Sequence, residues 1–167
     1  MKKLINTLML RLYKTESEIE KKVVDELIDW GINFETQYEV EPYRLDIAFP
    51  KYKVALEVDG NDFHTTDKQR QKDKLRDEYL EKVKGWKIER VPAYFCNRYP
   101  DLAVVKVVRH IPNIEKSERF RAGIRKMINW YIKDLNNRGL NIKAENIIDN
   151  YDKLINSQST EAPAKPV

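Results

Sequence analysis

The chain has 167 residues, 41% of them hydrophobic, which suits one domain with a real core and additional elements at its ends. Its net charge of +4 suits a polyanionic partner, although so small an excess is also typical of soluble proteins that bind no polyanion. The single cysteine, Cys96, excludes an internal disulfide and a cysteine-based zinc site, so we expect a reducing, cytoplasmic environment.

The N-terminal segment, residues 1–14, is predicted to form a short amphipathic helix, because its apolar residues recur at helical spacing. Asn6, Thr7 and Arg11 interrupt the apolar run, and no small-residue cleavage site follows, so the segment does not resemble a signal peptide. No stretch of the sequence is apolar enough to span a bilayer, and we expect no membrane association.

A second helix is predicted over residues 16–30, with Gly31 directly after its end. The period of the apolar residues then changes to two, which predicts three strands over residues 34–40, 44–49 and 53–59. These strands are short enough, and close enough in sequence, to pair as neighbours in one sheet.

A third helix is predicted to begin at Thr66 and to end before Gly85, and a fourth strand follows over residues 86–91. A strand, a helix and a strand of these lengths form a crossover unit, so the fourth strand should run parallel to the third. The sequence therefore predicts an α/β fold with a mixed four-stranded sheet flanked by helices. The third helix is expected to carry the apolar residues Leu75, Tyr79, Leu80 and Val83.

Three more helices are predicted towards the C-terminus, over residues 100–111, 120–139 and 144–155, although the first is rich in β-branched residues. After them the sequence loses its periodicity, which is typical of a disordered tail. The terminal helices offer surfaces for a protein partner or a homodimer. The predicted organisation is an N-terminal helix (1–14), a core (15–112), a C-terminal helical extension (113–156) and a tail (157–167).

Three acidic residues, Asp46, Glu57 and Asp59, are predicted on one face of the hairpin between the second and third strands. Pairing Phe49 with Val54 brings apolar residues opposite apolar residues and places Asp46 opposite Glu57. Carboxylates this close repel one another, and a divalent cation is their usual counter-charge. Hard oxygen ligands favour Mg²⁺ or Mn²⁺, which polarise a phosphodiester and lower the pKa of a bound water.

A simpler interpretation is that these acids are the polar positions of a half-solvated antiparallel hairpin. The residues that follow favour a site, because Gly60 breaks the strand and His64, one of two histidines, comes five residues after Asp59. A lone histidine is also common at surfaces and in cores, so both interpretations stay open on the residues alone.

Several short segments of the sequence occur together in a known family. The most specific is Leu56-Glu57-Val58-Asp59-Gly60 followed by His64, and the others are Ser17–Glu20, Arg44–Asp46, Asp73–Arg76 and Gly85–Arg90. In these segments, which span roughly half of the chain, the sequence resembles the DUF559 proteins. That family is similar to the very-short-patch-repair endonucleases of the restriction-endonuclease-like (PD-(D/E)XK) superfamily.

The resemblance implies a restriction-endonuclease-like core and a metal-dependent phosphodiesterase. Asp46 and Glu57 would bind the ion together with Asp59, Glu20 would complete or support the site, and His64 would act as general acid or base. The superfamily pattern has a lysine at the position of Asp59, where it orients water and stabilises the transition state, whereas DUF559 proteins share the acidic residue. Candidates to replace that lysine are Lys68, Gln69 and Lys72.

Glu20, rather than Glu18, is predicted to point towards the sheet. Glu18 shares a helix face with charged residues, whereas Glu20 stacks with Val24 and Leu27 beside the apolar stripe. The simpler interpretation is that Glu20 is the capping-box partner of an N-cap at Ser17, and the two roles are compatible.

The third predicted helix contains a run of cations near the proposed site. They are spaced around the helix instead of along one face, so a solvated helix surface is the simpler interpretation. As a functional hypothesis, these side chains contact phosphates and position a nucleic acid without reading its sequence. The nucleic-acid-binding candidates are Lys68, Arg70, Lys72 and Arg76.

The sequence and the resemblance together predict a Mg²⁺-dependent or Mn²⁺-dependent endonuclease that hydrolyses DNA. The acidic residue at position 59 motivates a first alternative, a catalytically inactive DNA-binding or assembly module of the same fold. A second alternative, an RNA-directed nuclease, shares the site but acts on a different substrate.

Overall fold

The structure, a computed structural model, describes residues 13–60 and 66–158. The chain divides into two compact units, the first ending at Pro112 and the second beginning at Asn113. The predicted helix of residues 1–14 lies almost wholly outside the described residues, as does most of the predicted tail. None of the described helices is long and apolar enough to cross a membrane.

The first unit is an α/β fold with one mixed sheet. The strand order is β1-β2-β3-β4, in which β1, β2 and β3 are antiparallel neighbours and β4 runs parallel to β3. The predicted four-stranded mixed sheet and its crossover are therefore confirmed. The elements are α1 (Glu18–Trp30), β1 (Glu35–Val40), β2 (Tyr43–Phe49), β3 (Val54–Asp59), α2 (Asp67–Glu78), a π-helical segment (Tyr79–Val83), β4 (Lys87–Pro92), α3 (Ala93–Arg98) and α4 (Pro100–Val108).

The β2–β3 hairpin has the register that the apolar pattern predicts, since Phe49 pairs with Val54 and Ile47 with Leu56. Its connection is a 3₁₀ turn that ends at Lys53, a residue with a φ of 52°. Strand β3 is buried from Val54 to Glu57, so both faces of the sheet are covered at its centre. The hairpin that holds the predicted acids is thus the best-buried part of the sheet.

Helix α1 begins and ends where its capping residues dictate. The side chain of Ser17 accepts a hydrogen bond from the backbone amide of Glu20, and Gly31 adopts the left-handed conformation after the last turn. The helix contacts α3 and α4, which in turn contact β3 and β4. Its buried set consists of Val23, Val24, Leu27 and one charged residue, Glu20.

Helix α4 forms although its sequence is rich in valine, because almost the whole helix is buried and packing outweighs intrinsic propensity. This confirms the helix predicted over residues 100–111. The preceding short helix, α3, was not predicted, and it buries Phe95 and Cys96. Burial raises the pKa of the Cys96 thiol to about 11.

The third predicted helix continues past Glu78 as a π-helical segment, in which the Lys84 amide bonds to the Tyr79 carbonyl five residues earlier. This wider turn shifts the side chains that follow it around the helix axis. Leu75, which precedes this segment, and Val83, at its end, are 59% and 68% exposed, so neither apolar residue belongs to the core. Leu80 instead joins a buried cluster with Val40, Leu45, Ala48, Ala55 and Trp86.

The second unit contains two helices, α5 (Glu118–Asn137) and α6 (Ala144–Gln158), at the positions predicted for them. Ser117 caps α5 through its side chain. The Arg125 guanidinium joins the two helices by pairing with the Asp152 carboxylate, with Nη2 and Oδ1 2.9 Å apart. Because α6 extends to Gln158, the first two residues of the predicted tail are helical.

Candidate functional site

The candidate site lies where the backbone pairing of β2 with β3 ends. The last backbone pair is Ile47 with Leu56, and one residue further the Asp46 Oδ2 accepts a hydrogen bond of 2.9 Å from the Val58 amide. A carboxylate thus takes the place of a backbone carbonyl as the partner of this amide. The bond holds Asp46 at the end of the hairpin.

Asp46 lies in an excess of negative charge. Its pKa is raised from 3.8 to about 6, mainly by burial; the Val58 hydrogen bond lowers this pKa, and the charges of Glu20, Glu57 and Glu16 raise it further. Within residues 13–60 and 66–158, no lysine or arginine forms a salt bridge with Asp46. The ionised carboxylate is therefore poorly solvated, and its charge is not balanced by a salt bridge within the described part of the chain.

Glu57 is 7% exposed and lies between two arginines. Arg76 of α2 pairs with both of its oxygens, Nη1 lying 2.9 Å from Oε2 and Nη2 contacting Oε1. Arg90, directly opposite on β4, places Nη2 3.4 Å from Oε2. Such a two-pronged pair is a strong charge-assisted interaction, and it raises the pKa of Arg76. The charge of Glu57 is thus neutralised within the fold.

Asp59, at the end of β3, is exposed and shares Arg90 with Glu57. Its Oδ1 lies 3.5 Å from Arg90 Nη1, while Arg90 Nη2 lies 2.6 Å from Asp77 Oδ1. Among the described residues, no three His, Cys, Asp or Glu side chains form a group that could hold a metal. The structure therefore brings Asp46 and Glu57 close, but it does not gather the predicted trio with Asp59 into a three-ligand site, because Asp59 pairs with Arg90 at the surface.

Glu20 has both of the positions foreseen for it. It forms the capping box, since Ser17 Oγ donates to Oε1 at 3.0 Å and the Glu16 amide donates to Oε2 at 2.8 Å. It is also 6% exposed and close enough to raise the pKa of Asp46, whereas Glu18 is exposed. The choice of Glu20 over Glu18 is confirmed.

Gln37 of β1 belongs to this cluster and was not predicted. Its Nε2 donates to Glu20 Oε2 at 3.2 Å, and its buried Oε1 has no hydrogen-bond partner in the described part of the chain. Its φ of 52° is rare for an L-residue inside a strand and is typical of strained functional positions. Nothing in an alternating apolar pattern indicates such a conformation.

Arg76 and Arg90 lie beside Glu57 because of tertiary contacts, and not because they are close to it in the sequence. The sequence predicted Arg76 as a phosphate contact, and Arg90 appeared only within a matching segment. The available indication for Arg90 was the predicted parallel pairing of β3 and β4, which brings this residue beside Glu57. For Arg76 no local pattern predicts that the last turn of α2 reaches the sheet.

The remaining predicted site residues stay predictions. His64 lies in residues 61–65, outside the described residues, and the side chains of Lys68 and Gln69 are not described either. Lys72 is exposed on α2, and Arg70 is exposed with Nη1 4.0 Å from Asp67 Oδ1.

A magnesium-like ion fits the donors that are present. Mg²⁺ is usually held by one or two carboxylates, with water filling the other positions, so Asp46 and Glu57 suffice without a third. Asp46 offers an uncompensated charge, and Gln37 offers a buried amide oxygen without a donor among the described residues. Glu57 offers oxygens that it shares with Arg76.

Comparison with known proteins gives one family and one structural neighbour. The sequence model of the family REase_MTES_1575 matches residues 19–111, which include every described site residue from Glu20 to Arg90. Among solved structures, the chain is similar to "Homing Endonuclease I-Bth0305I Catalytic Domain", at 24% identity and a TM-score of 0.45, over 57% of this chain and 99% of that one. No curated protein matches the chain significantly.

Proposed function

Because the chain belongs to REase_MTES_1575, a restriction-endonuclease-like family, we propose that it is a nuclease that hydrolyses phosphodiester bonds of DNA with the help of Mg²⁺ or Mn²⁺. The superfamily is the one that the sequence motifs imply. The metal, the substrate and the residue roles below belong to the proposal.

The observation that supports the proposal most is the charge at Asp46. This half-buried carboxylate has a pKa raised to about 6, to which the charges of Glu20, Glu57 and Glu16 contribute, and no described side chain forms a salt bridge with it. A phosphodiester would bring further negative charge to the same place. A divalent cation held by Asp46 and Glu57 balances both, as hard oxygen ligands favour.

The chain's own groups have distinct tasks in this proposal. Asp46 and Glu57 hold the ion, and Asp46 is aimed by its bond to the Val58 amide. Glu20, itself held by Ser17 and Gln37, adds negative charge beside Asp46 and strengthens the attraction for a cation. When bound, the ion polarises the phosphate and lowers the pKa of a water.

Two further roles are proposed, that of His64 from the family resemblance and that of Asp59 from its contact with Arg90. His64 takes a proton from the attacking water or gives one to the leaving oxygen, which suits a side chain that titrates near neutral pH. Asp59 orients Arg90, since its Oδ1 lies 3.5 Å from Arg90 Nη1. It does not supply the positive charge that a lysine would supply at this position.

A nucleic acid is the proposed substrate because exposed cations lie on the helix that reaches the site, and DNA is proposed first because the sequence resembles the very-short-patch-repair endonucleases. Arg76 in the last turn of α2 touches Glu57, and Arg70 and Lys72 of the same helix are exposed. Cations in this arrangement contact phosphates of either nucleic acid, so RNA is tested beside DNA.

A catalytically inactive DNA-binding module of the same fold is the second candidate. It is favoured by Glu57, whose oxygens both contact Arg76, and by an acid at position 59. Such a module would bind DNA without forming a metal-linked product.

The deciding experiment is a nicking assay on supercoiled plasmid with Mg²⁺, Mn²⁺ or EDTA, with duplex RNA as the second substrate. We expect the protein to cut DNA only when the ion is present. Asp46→Asn should cut more than about a hundredfold more slowly, because losing a direct metal ligand costs more activity than losing a residue that contacts such a ligand. Asp134→Asn, which removes an acid paired with Arg138 in the second unit, is the matched control.

Retained cutting by Asp46→Asn would show that the site is elsewhere. Binding of DNA by the wild-type protein without a product in any metal would favour the inactive module. Cutting of RNA in preference to DNA would change the substrate and leave the site in place.

A further inference from the structure

Arg76 and a divalent ion need the same carboxylate. The guanidinium contacts both oxygens of Glu57, with Nη1 2.9 Å from Oε2, and Arg90 Nη2 lies 3.4 Å from Oε2. An ion ligated by Glu57 would therefore lie within a few ångströms of a guanidinium in a site with little solvent. Positive charges at such a separation repel strongly, so full pairing with Arg76 and ligation of an ion oppose each other.

Of the two arginines, Arg76 is the one that can leave. Arg90 is also tied to Asp77, at 2.6 Å, and to Asp59, at 3.5 Å. Outside Glu57, Arg76 has longer contacts: Nη1 lies 3.7 Å from Asp77 Oδ1, Nη2 lies 3.3 Å from the Arg44 carbonyl, and the guanidinium lies 5.6 Å from the ring centre of Tyr43. Asp77 is the charged one of these partners, but its Oδ1 already lies 2.6 Å from Arg90 Nη2, so none of them satisfies the Arg76 guanidinium as Glu57 does.

The contacts with the Arg44 carbonyl and the Tyr43 ring also determine where Arg76 would lie after it releases Glu57. Arg44 and Tyr43 belong to β2, two and three residues before Asp46. A guanidinium that keeps them stays at the edge of the site while it releases Glu57. The position is next to the place where Asp46 and Glu57 hold an ion, and an anion bound to that ion would be its nearest new partner.

We propose that Arg76 alternates between two partners, the Glu57 carboxylate and a phosphate of the substrate, and that it changes partner when Glu57 ligates an ion. This inference rests on the proposed function and gives Arg76 a direct contact with the reacting phosphate. In the closed arrangement the guanidinium neutralises a buried acid, and in the open one it neutralises charge on the phosphate. Helix α2 thereby couples the ion to the binding of nucleic acid.

The test measures Mn²⁺ binding by calorimetry in the full-length protein without DNA, for wild type, Arg76→Met and Arg76→Lys. We expect Arg76→Met to bind Mn²⁺ more tightly, by roughly tenfold, because a competitor for Glu57 has been removed. The same variant should nick plasmid at least about a hundredfold more slowly, as for the loss of one donor that stabilises the transition state. Lys82→Met, which removes an exposed cation paired with Glu78 just after α2, should change neither.

Tighter ion binding with slower cutting distinguishes the exchange from a structural role. An arginine that only holds Glu57 in place would leave the variant with weaker Mn²⁺ binding, and that result would overturn the inference. Wild-type cutting rates in Arg76→Met would overturn it as well. If Arg76→Met does not fold, Arg76→Lys serves as the test variant, because a lysine cannot bridge both oxygens of Glu57. The Arg76→Lys protein should bind Mn²⁺ more tightly than wild type, and weaker binding would count against the exchange.

Failure of the proposed function has a different appearance. A wild-type protein that neither binds Mn²⁺ nor cuts nucleic acid would remove the metal site, and the exchange with it. A wild type that binds the ion and cuts, combined with weaker Mn²⁺ binding in Arg76→Met, would leave the nuclease proposal intact and remove only the exchange.

Discussion

Two acidic positions on neighbouring strands, the Asp46 end of β2 and the Glu57 region of β3, differ in how their charge is balanced. Glu57 is paired with Arg76 and Arg90, so burial of this acid is compensated inside the fold. Asp46 has acids as neighbours, and its pKa is raised to about 6. The difference teaches that the fold balances the charge of Glu57 and leaves Asp46 without a salt bridge among the described residues, which is why we propose a cation at Asp46.

The largest effect on stability is expected from removing Arg76, the partner of Glu57. Arg76→Met should lower the free energy of unfolding by about 3 kcal/mol, since it leaves Glu57 buried with only Arg90 beside it. Urea unfolding of this variant and of Lys82→Met would measure the difference. A loss no greater than that of the exposed control would mean that Arg76 does not stabilise Glu57.

Removing the charge of Asp46 should change the free energy of unfolding in the opposite direction. Folded Asp46 keeps its proton up to about pH 6, whereas the unfolded residue releases it near pH 3.8, so above pH 6 the ionised carboxylate destabilises the fold. Asp46→Asn should therefore raise the free energy of unfolding at pH 7.5 without divalent ions, by up to about 3 kcal/mol for a shift of this size. Thermal unfolding at pH 7.5 and pH 4 would measure the effect.

At pH 4 the gain should be mostly lost, because most folded molecules then have a protonated Asp46. Asp134→Asn, which also removes an acid, should not reproduce the pattern. A destabilising effect of Asp46→Asn at pH 7.5 would contradict the charge imbalance at this position.

A smaller effect is expected at Gln37 of β1, which donates a hydrogen bond to Glu20 of α1. Both Gln37→Ala and Gln37→Gly lose the hydrogen bond to Glu20, but only glycine adopts a φ of 52° without strain. The glycine variant should therefore be more stable than the alanine variant, by about 1 kcal/mol, which is the reverse of the usual order in a strand. Urea unfolding of both variants would measure this difference. A more stable alanine variant would exclude backbone strain at Gln37.

The parts of this site that sequence reasoning could find are those that follow from periodicity. Alternating apolar residues fixed the register that aligns Ile47 with Leu56, and the helical face of Val24 and Leu27 identified Glu20 as inward-facing. These predictions worked because burial of one face is a strong constraint on strands and helices.

The parts that escaped depend on tertiary contacts or on rare backbone conformations. Arg90 meets Glu57 only across a parallel strand pair, and the π-helical turn before Lys84 changes which side chains of its helix are buried. The positive φ of Gln37 has no residue signature, since glutamine does not favour it. Asp59 was expected beside the other two acids, but its pairing with Arg90 could not be seen before β4 was placed.

The most direct test of the account is a comparison of Mn²⁺ binding by the wild-type protein and by Asp46→Asn, measured by calorimetry with Asp134→Asn as the control. The account predicts that wild type and control bind the ion equally, and that Asp46→Asn binds it more than about tenfold more weakly. Equal affinity in all three proteins would contradict the claim that the unbalanced charge of Asp46 attracts the cation.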